Sequence, residues 1–312
     1  MKNRLKWALL VLSIFAVSPR ALSQNSFVED KADSLALLSA PWEWTDLGGG
    51  AEAASAIVHM YNSVQSISII RYPMRKFHTE VLEEDGPDAK ATSLMAGGNG
   101  WKMAINGSYF TREVKPATFV KDDGKVLSST SPEEGFRVNG ILLLGRSGRR
   151  LSLRTCTPGE DEVLAKGSRD ALSAGPMLRE GGRDLYEPAQ MSSGFYGGRH
   201  PRSIIGYTGS DVAPKGNLAS RRNGRACVPA GRMVYLIVVD GRFPSQADGM
   251  SIPELIYMCK VLGLESALNL DGGGSSSLWD EGLGVLNHPY DNLVFDHKGE
   301  RRVPNVVAVK KR

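Results

Sequence analysis

Residues 269–279, NLDGGGSSSLW, place an acid, three glycines and three serines directly after an apolar run. The carboxylate of Asp271 could act as a nucleophile or as a base. The backbone N–H groups of Gly272, Gly273 and Gly274 could form an anion-binding concavity, to which Ser275 could add a hydroxyl donor. A tight turn between two strands is the alternative. The loop lacks the lysine of a phosphate-binding P-loop and the last glycine of a G-x-S-x-G nucleophile elbow, so neither signature applies.

A basic cluster occupies residues 196–207, YGGRHPRSIIGY. Arg199, His200 and Arg202 lie within four residues, and two guanidinium groups with an imidazole suit a phosphate or carboxylate ligand. A solvated loop is the alternative for such a cluster. The apolar residues that follow predict a strand that enters the core.

Two further stretches place polar side chains at the end of a predicted strand. VVDGR (238–242) presents Asp240 and Arg242, which either form a structural ion pair or line a site. AINGSYF (104–110) presents Asn106 and Tyr109, amide and aromatic groups of the kind that hold sugars. Taken alone, each stretch is explained equally well by a structural role.

The elements that must position these residues are mostly strands. Short runs rich in Val and Ile, bounded by Gly, Pro, Asn or Asp, are typical of strands. One helix is predicted at about residues 87–95. The other is SIPELIYMCKVLG (251–263), where Ser251 and Glu254 match a capping box. The predicted strands lie at residues 66–72, 102–110, 135–145, 202–207, 233–242, 266–273 and 305–311.

Strand, helix and strand follow one another from residue 233 to residue 270 and resemble a crossover unit. Such a unit would place the ends that carry Asp240 and Asp271 side by side. The whole pattern predicts a single globular α+β domain with few helices and a mixed, mostly antiparallel sheet.

The first 23 residues match a cleaved secretory signal: three basic residues, an 11-residue apolar run and small residues at the end. An uncleaved membrane anchor is the alternative. These residues contain four basic groups and no acid, so the formal net charge of +4 falls to zero in the mature protein, which gives no support for a nucleic-acid partner. From the signal pattern we expect a protein exported to the periplasm or the medium, with no stable membrane anchor after cleavage.

Residues 24–65 form a lead-in segment of unclear structure, and residues 66–312 carry the predicted strands and all the candidate site residues. Three cysteines allow at most one internal disulfide, and Cys156 with Cys227 is the pair we expect, because Cys259 has the helical spacing of a buried thiol. No C-x-x-C or H-x-x-x-H spacing indicates a metal site. No cofactor is predicted, and a metal requirement is left open.

The five motifs AINGSYF, SAGPMLREG, GRHPRSIIGY, VVDGR and NLDGGGSSSLW resemble, in this order, those of the phosphodiester glycosidase family. The resemblance covers about residues 100–310 and implies that residues 66–312 are the catalytic domain. It implies an enzyme that hydrolyses a sugar-1-phosphodiester, of the N-acetylglucosamine-1-phosphate diester type, at the anomeric carbon. The products would be the free sugar and a phosphomonoester. A hydrolase of other envelope glycans and a non-catalytic glycan-binding module are the alternatives.

The resemblance also suggests a role for each candidate residue. Asp271 would be the nucleophile or base, Asp240 the second carboxylate or the group that orients Arg242, and His200 a proton donor or phosphate ligand. Asn106 would hold a hydroxyl or acetamido group of the sugar. The phosphate would be held by Arg199, Arg202 and Arg242, together with the N–H groups of Gly272, Gly273 and Gly274.

Overall fold

Antiparallel β-structure dominates the computed structural model, which describes residues 27–148, 150–191, 193–210, 212–219, 221–222, 225–226 and 231–311. The predicted signal peptide and Cys227, the expected partner of Cys156, lie outside the described residues. Cys156 is buried, and its thiol donates a hydrogen bond to Asp161.

Four helices and 22 strands are present in the described part of the chain. The helices are α1 (Lys31–Ser39), α2 (Thr92–Gly98), α3 (Asp161–Leu164) and α4 (Ile252–Val261). The strands are β1 (Thr45–Gly48), β2 (Ala51–Met60), β3 (Ser63–Pro73), β4 (Phe77–Glu83), β5 (Lys90–Ala91), β6 (Met103–Asn106), β7 (Val120–Asp122), β8 (Lys125–Ser128), β9 (Gly140–Leu144), β10 (Leu151–Thr155), β11 (Asp170–Ala174), β12 (Met177–Glu180), β13 (Arg183–Asp184), β14 (Arg202–Thr208), β15 (Arg221–Arg222), β16 (Arg225–Ala226), β17 (Met233–Val239), β18 (Leu264–Asn269), β19 (Leu278–Asp280), β20 (Gly284–Val285), β21 (Arg302–Val303) and β22 (Asn305–Lys311).

The largest sheet has eight strands in the order β1-β2-β3-β17-β14-β18-β12-β13. Two five-stranded sheets have the orders β10-β9-β11-β7-β8 and β20-β19-β6-β22-β4, and two pairs, β15-β16 and β21-β5, complete the set. Neighbouring strands are antiparallel in every pair that the described residues form. The predicted α+β fold with few helices is confirmed.

Strand β17 shows why the eight-stranded sheet is central. All seven of its residues are buried, and successive side chains of a strand point to opposite faces. Tyr235 and Ile237 pack with α1 and α4 on one face, whereas Leu236 and Val238 pack with the two five-stranded sheets on the other. The sheet is therefore the middle of three layers.

Helix α4 begins where the capping box predicts. The backbone N–H of Ser251 donates to Glu254 Oε2 at 2.8 Å, and the helix continues to Val261. The helix predicted at residues 87–95 begins later, at Thr92. Residues 86–88 form a short 3₁₀ helix. Arg302 then donates to the carbonyl of Ala89 at 2.7 Å, and β5 pairs with β21, so residues 89–91 are held in an extended conformation.

The lead-in segment has regular structure, which corrects its predicted separation from the catalytic domain. Its β2 pairs with β3 along nine residue pairs, so the predicted boundary at residue 66 falls inside a strand. Leu37 of α1 is fully buried in the core, and the Tyr257 hydroxyl of α4 donates to the carbonyl of Asp30 at 2.8 Å. This segment forms one edge of the central sheet.

The predicted crossover unit is present with one strand inserted. Strand β14 lies between β17 and β18 and is antiparallel to both. The two outer strands, β17 and β18, therefore run in the same direction. Asp240 and Asp271 follow their C-terminal ends, so both residues lie at the same end of the central strands, one strand apart.

Candidate active site

A cavity of about 330 Å³ opens at the end of the central sheet where β17 and β18 finish and β14 begins. Four arginines and one carboxylate face it, which makes its lining strongly basic within the described part of the chain. Its lining residues are Tyr109, Arg137, Phe195, His200, Pro201, Arg202, Arg242, Asp271, Gly272, Gly273, Gly274 and Arg301.

The backbone of Asp271 is held on both sides. Its N–H donates to the carbonyl of Gly107 at 3.0 Å, and its own carbonyl accepts from Asn106 Nδ2 at 2.7 Å. The side-chain Oδ1 accepts from the N–H of Gly272 at 2.9 Å. Burial raises the pKa of the Asp271 carboxyl to about 6, although the Ser275 hydroxyl and the Arg137 charge act in the opposite direction. At neutral pH the group is mostly ionised and basic enough to accept a proton.

Arg202 and Arg242 approach the cavity from different elements. Arg202 begins β14, is buried, and donates from Nε to the carbonyl of Met250 and from Nη2 to that of Phe195, at 2.9 and 2.7 Å. Burial lowers its pKa to about 10, which leaves it charged at neutral pH. Arg242 has a left-handed backbone with φ of 67°. This strained conformation is uncommon for a side chain of this size and is often found at functional sites.

Arg137 and Arg301 complete the basic lining, and neither was predicted as a site residue. The Arg137 guanidinium stacks 3.8 Å from the centre of the Tyr109 ring and donates to Glu134 at 2.5 Å. Arg301 donates from Nε to Asp291 at 2.9 Å. Both residues lie outside the five motifs of the family resemblance, and Arg137 falls in the strand predicted at residues 135–145.

The sequence profile of the phosphodiester glycosidase family matches residues 99–310. The chain belongs to this family. Its sequence has no significant match among curated proteins.

Solved structures show that this chain shares its fold with distant relatives. The catalytic domain of zebrafish N-acetylglucosamine-1-phosphodiester alpha-N-acetylglucosaminidase matches at a TM-score of 0.59 with 17% identity, over 88% of this chain and 89% of that one. A hypothetical protein from Synechocystis matches at 0.53 with 17% identity, over 88% and 64%. A Burkholderia pseudomallei protein provisionally named as exported matches at 0.55 with 15% identity, over 79% and 74%.

His200 lines the cavity, but both of its ring nitrogens have partners. Nε2 lies 2.9 Å from the carbonyl of Gly194 and must donate to it, so Nδ1 is left to accept from Arg242 Nη2 at 3.3 Å. Burial lowers the His200 pKa, and the charges of Arg202 and Arg242 act in the same direction. His200 is therefore a neutral group that orients Arg242, which argues against its predicted role as a proton donor.

The glycine loop lines the cavity, but two of the three N–H groups predicted to bind the phosphate already have partners within the protein. The Gly272 N–H donates to Asp271, and the Gly273 N–H donates to the carbonyl of Pro201 at 2.9 Å. A Cβ on Gly272 would lie 2.6 Å from that carbonyl oxygen, and Gly273 has φ of 62°. Close backbone approach thus explains these glycines. Ser275 is buried beneath the turn and does not line the cavity.

Two predicted ligand residues point elsewhere. Arg199 donates to Glu254 Oε1 from Nη2 at 2.5 Å and to the carbonyl of Tyr61 at 2.6 Å, so it binds the start of α4 rather than a phosphate. Asn106 is fully buried and accepts from the Ser203 hydroxyl at 2.7 Å while it donates to Asp271. It positions the Asp271 backbone and is not available to a sugar.

Tyr109 reaches the cavity with its ring alone. Its hydroxyl donates to the carbonyl of Gly175 at 2.5 Å and accepts from Asn269 Nδ2 at 3.2 Å. A sugar hydroxyl would therefore have to displace one of these bonds.

Asp240 is the clearest correction among the catalytic candidates. It is buried, and its carboxylate accepts from the Ser66 hydroxyl at 2.7 Å, Asn287 Nδ2 at 3.1 Å and the His288 N–H at 2.9 Å. Its Oδ2 also lies 2.8 Å from His288 Nδ1. These contacts anchor the start of the segment that ends at Arg301, so Asp240 is neither the second carboxylate of the cavity nor the partner of Arg242.

The described residues contain no group of three or more His, Cys, Asp and Glu side chains that could hold a metal ion. The helices of the same residues are too short, or too polar, to cross a membrane.

Proposed function

We propose that this protein hydrolyses a sugar-1-phosphodiester at the anomeric carbon and releases the free sugar and a phosphomonoester. The observation that carries the proposal is the cavity lining, in which four arginines share one cavity with the carboxylate of Asp271. An uncharged glycoside offers little for four guanidinium groups to bind, whereas a phosphodiester carries the negative charge that they would neutralise. Membership of the phosphodiester glycosidase family supports the same reaction class.

Asp271 would act at the anomeric carbon, either as the nucleophile or as the base that takes a proton from the attacking water. The bond between that carbon and the phosphate oxygen breaks, its electron pair leaves with the phosphate, and the carbon gains an oxygen from water. Arg202 and Arg242 would stabilise the charge that develops on the phosphate. Because phosphate is already a good leaving group, the reaction needs no strong general acid, in keeping with a neutral His200.

N-acetylglucosamine is the sugar we propose, since it is the sugar named for the zebrafish enzyme of the same fold. Export is proposed as well. It rests on the secretory pattern of residues 1–23 and on the provisional name of the Burkholderia relative.

The test is release of N-acetylglucosamine from N-acetylglucosamine-1-phospho-6-mannose by the purified protein. We expect turnover by the wild type and a loss of about 10²–10⁴-fold in kcat/KM for Asp271→Asn, because a positioned base or nucleophile is removed. Arg242→Ala should lose about 10²–10³-fold, as expected for one donor to a developing anion.

Matched controls separate the cavity from the surface. Asp123→Asn changes a carboxylate whose side chain is 83% exposed, and Arg154→Ala changes an arginine that is 61% exposed. Both should keep wild-type activity. Equal turnover of a phosphate-free N-acetylglucosaminide would indicate an ordinary glycosidase, and saturable binding of the diester without hydrolysis would indicate a glycan-binding module.

A further inference from the structure

Three aromatic rings lead from the floor of the cavity to the protein surface. Tyr109 is buried, Phe195 is half-buried in the cavity wall, and Phe136 is 64% exposed. The ring centres of Tyr109 and Phe195 lie 6.3 Å apart, and those of Phe195 and Phe136 lie 6.2 Å apart, both edge to face. Single exposed hydrophobic residues are ordinary, but this one continues a row of rings out of the candidate active site.

The outer rings are held in place by the residues that line the cavity. Arg137 packs 5.5 Å from the centre of the Phe136 ring and 5.7 Å from that of Phe195. The Arg137 backbone N–H donates to the carbonyl of Glu134 at 3.1 Å, which closes the turn that contains Phe136. Arg202 in turn binds the carbonyl of Phe195. A ligand that reached this row of rings would therefore bind to a preformed surface.

The cavity is too small for the whole proposed substrate. At about 330 Å³ it is at the lower end of ligand pockets, which run from roughly 300 to 1,000 Å³. One sugar ring and a phosphate would fill it. The group on the other side of the phosphate would then lie outside the cavity, where the exposed Phe136 ring contacts Phe195 of the cavity wall.

We infer that Phe136 and Phe195 form a subsite for a pyranose ring on the leaving-group side of the phosphate; this inference rests on the proposed function. An aromatic face packs well against the C–H face of a sugar, whose hydroxyl groups stay in water at the rim. The Arg137 guanidinium, 5.5 Å from the centre of the Phe136 ring, is a polar neighbour that suits the hydroxyl groups of a sugar better than an alkyl chain. Binding energy gained there, remote from the reacting carbon, would raise kcat/KM for diesters that carry a sugar on both sides.

The test compares three diesters of N-acetylglucosamine-1-phosphate, whose second group is mannose, methyl or octyl. The quantity measured is the ratio of kcat/KM for the mannosyl diester to that for the methyl diester. We expect Phe136→Ala to lower this ratio about tenfold and Phe136→Trp to preserve it, since tryptophan keeps an aromatic face. Leu35→Ala, at a residue of the same 64% exposure on α1, should leave the ratio unchanged.

Two results would overturn the subsite. One is an unchanged ratio in Phe136→Ala. The other is a wild-type preference for the octyl diester over the mannosyl diester that Phe136→Ala removes. That result would assign Phe136 and Phe195 to apolar leaving groups instead of sugars.

A binding measurement keeps this inference separate from the proposed reaction. If the wild type hydrolyses none of the diesters, the proposed function fails, and calorimetry with mannose 6-phosphate and methyl phosphate then decides the subsite. Tighter binding of mannose 6-phosphate that is lost in Phe136→Ala retains it, whereas equal affinities for the two phosphates overturn it.

Discussion

Asp271 carries a negative charge in a place where the fold makes that charge costly. Its pKa of about 6 lies well above the value of about 3.9 expected for an unfolded chain. A raised folded-state pKa means that the native protein binds the proton more tightly than the unfolded protein does. Ionisation of Asp271 therefore lowers the free energy of unfolding progressively as the pH rises from about 4 to about 6, and the full cost applies above that range.

Asp271→Asn should consequently stabilise the protein at pH 8 and change its stability little at pH 4. We expect a gain of about 1–2 kcal/mol at pH 8, because the amide keeps an oxygen for the Gly272 N–H but carries no charge to desolvate. Urea unfolding at the two pH values measures this effect. Asp123→Asn is the exposed control, with an expected change within about 0.5 kcal/mol. Destabilisation at pH 8, or an equal shift at both values, would contradict this explanation.

Local sequence identified only part of the cavity. Asp271, Arg202 and Arg242 were predicted because each stands beside an apolar strand in a motif of polar and small residues. Arg199 has the same local setting as Arg202, and only Glu254, 55 positions further along the chain, separates their roles. Arg137 and Arg301 reach the cavity through tertiary packing on Tyr109 and Asp291, which no local pattern encodes.

Helix α4 is fixed at its first turn by two groups rather than one. Glu254 closes the capping box with Ser251, and the same carboxylate binds Arg199, whose side chain is one-third exposed. Charge-assisted hydrogen bonds of this kind are stronger than neutral ones. The arginine expected to hold a phosphate thus stabilises the helix that supports the central sheet.

Arg199→Ala tests this assignment at the level of the element. We expect a loss of about 1–3 kcal/mol in the free energy of unfolding, because Glu254 would lose its charged partner while remaining largely buried. At a temperature where the variant is folded, kcat/KM should stay within about threefold of the wild type. Thermal unfolding and initial rates, with Arg154→Ala as the exposed control, provide both measurements. A loss of activity as large as that of Arg242→Ala would return Arg199 to the substrate site.

Helices and strands are predicted well when the residues that determine them are close together in the sequence. Helix α4 was located correctly since its capping box, its proline and its final glycine all lie within 13 residues. The helix predicted at residues 87–95 was displaced by pairing between β5 and β21, whose partners are about 210 residues apart. The insertion of β14 between β17 and β18 also depends on pairing between residues far apart in the sequence, so no local pattern predicts it.

The molecule as a whole depends on its first described residues. Trp42 is buried in the same core as Leu37, and the Arg71 guanidinium lies 3.7 Å from the centre of the Trp44 ring. The structure of residues 27–44 is hard to predict from the sequence, because α1 is short and only weakly amphipathic. Contacts with α4 and β2 account for its order.

Leu37→Ala and Leu35→Ala form a matched pair on one helix. Leu37 is fully buried and Leu35 is 64% exposed. We expect Leu37→Ala to cost about 2–4 kcal/mol in urea unfolding, since it leaves a cavity in the main core, and Leu35→Ala to cost less than about 0.5 kcal/mol. Similar small effects for both variants would show that residues 27–44 do not contribute to the stability of the main fold.

Strand β22 lies between β4 and β6, and β17 lies between β3 and β14. Phe77 is paired with Lys311, and Ile70 with Leu236, so strands that are neighbours in the sheet are made at very different times during synthesis. Long-range pairing of this kind slows folding, because the entropy cost of closing a large loop comes before the stabilising contacts form. A nascent chain that lacks residues 305–311 leaves the facing edges of β4 and β6 unpaired. The five-stranded sheet that contains β6, whose Asn106 holds the backbone of Asp271, is therefore complete only after the last strand has been made.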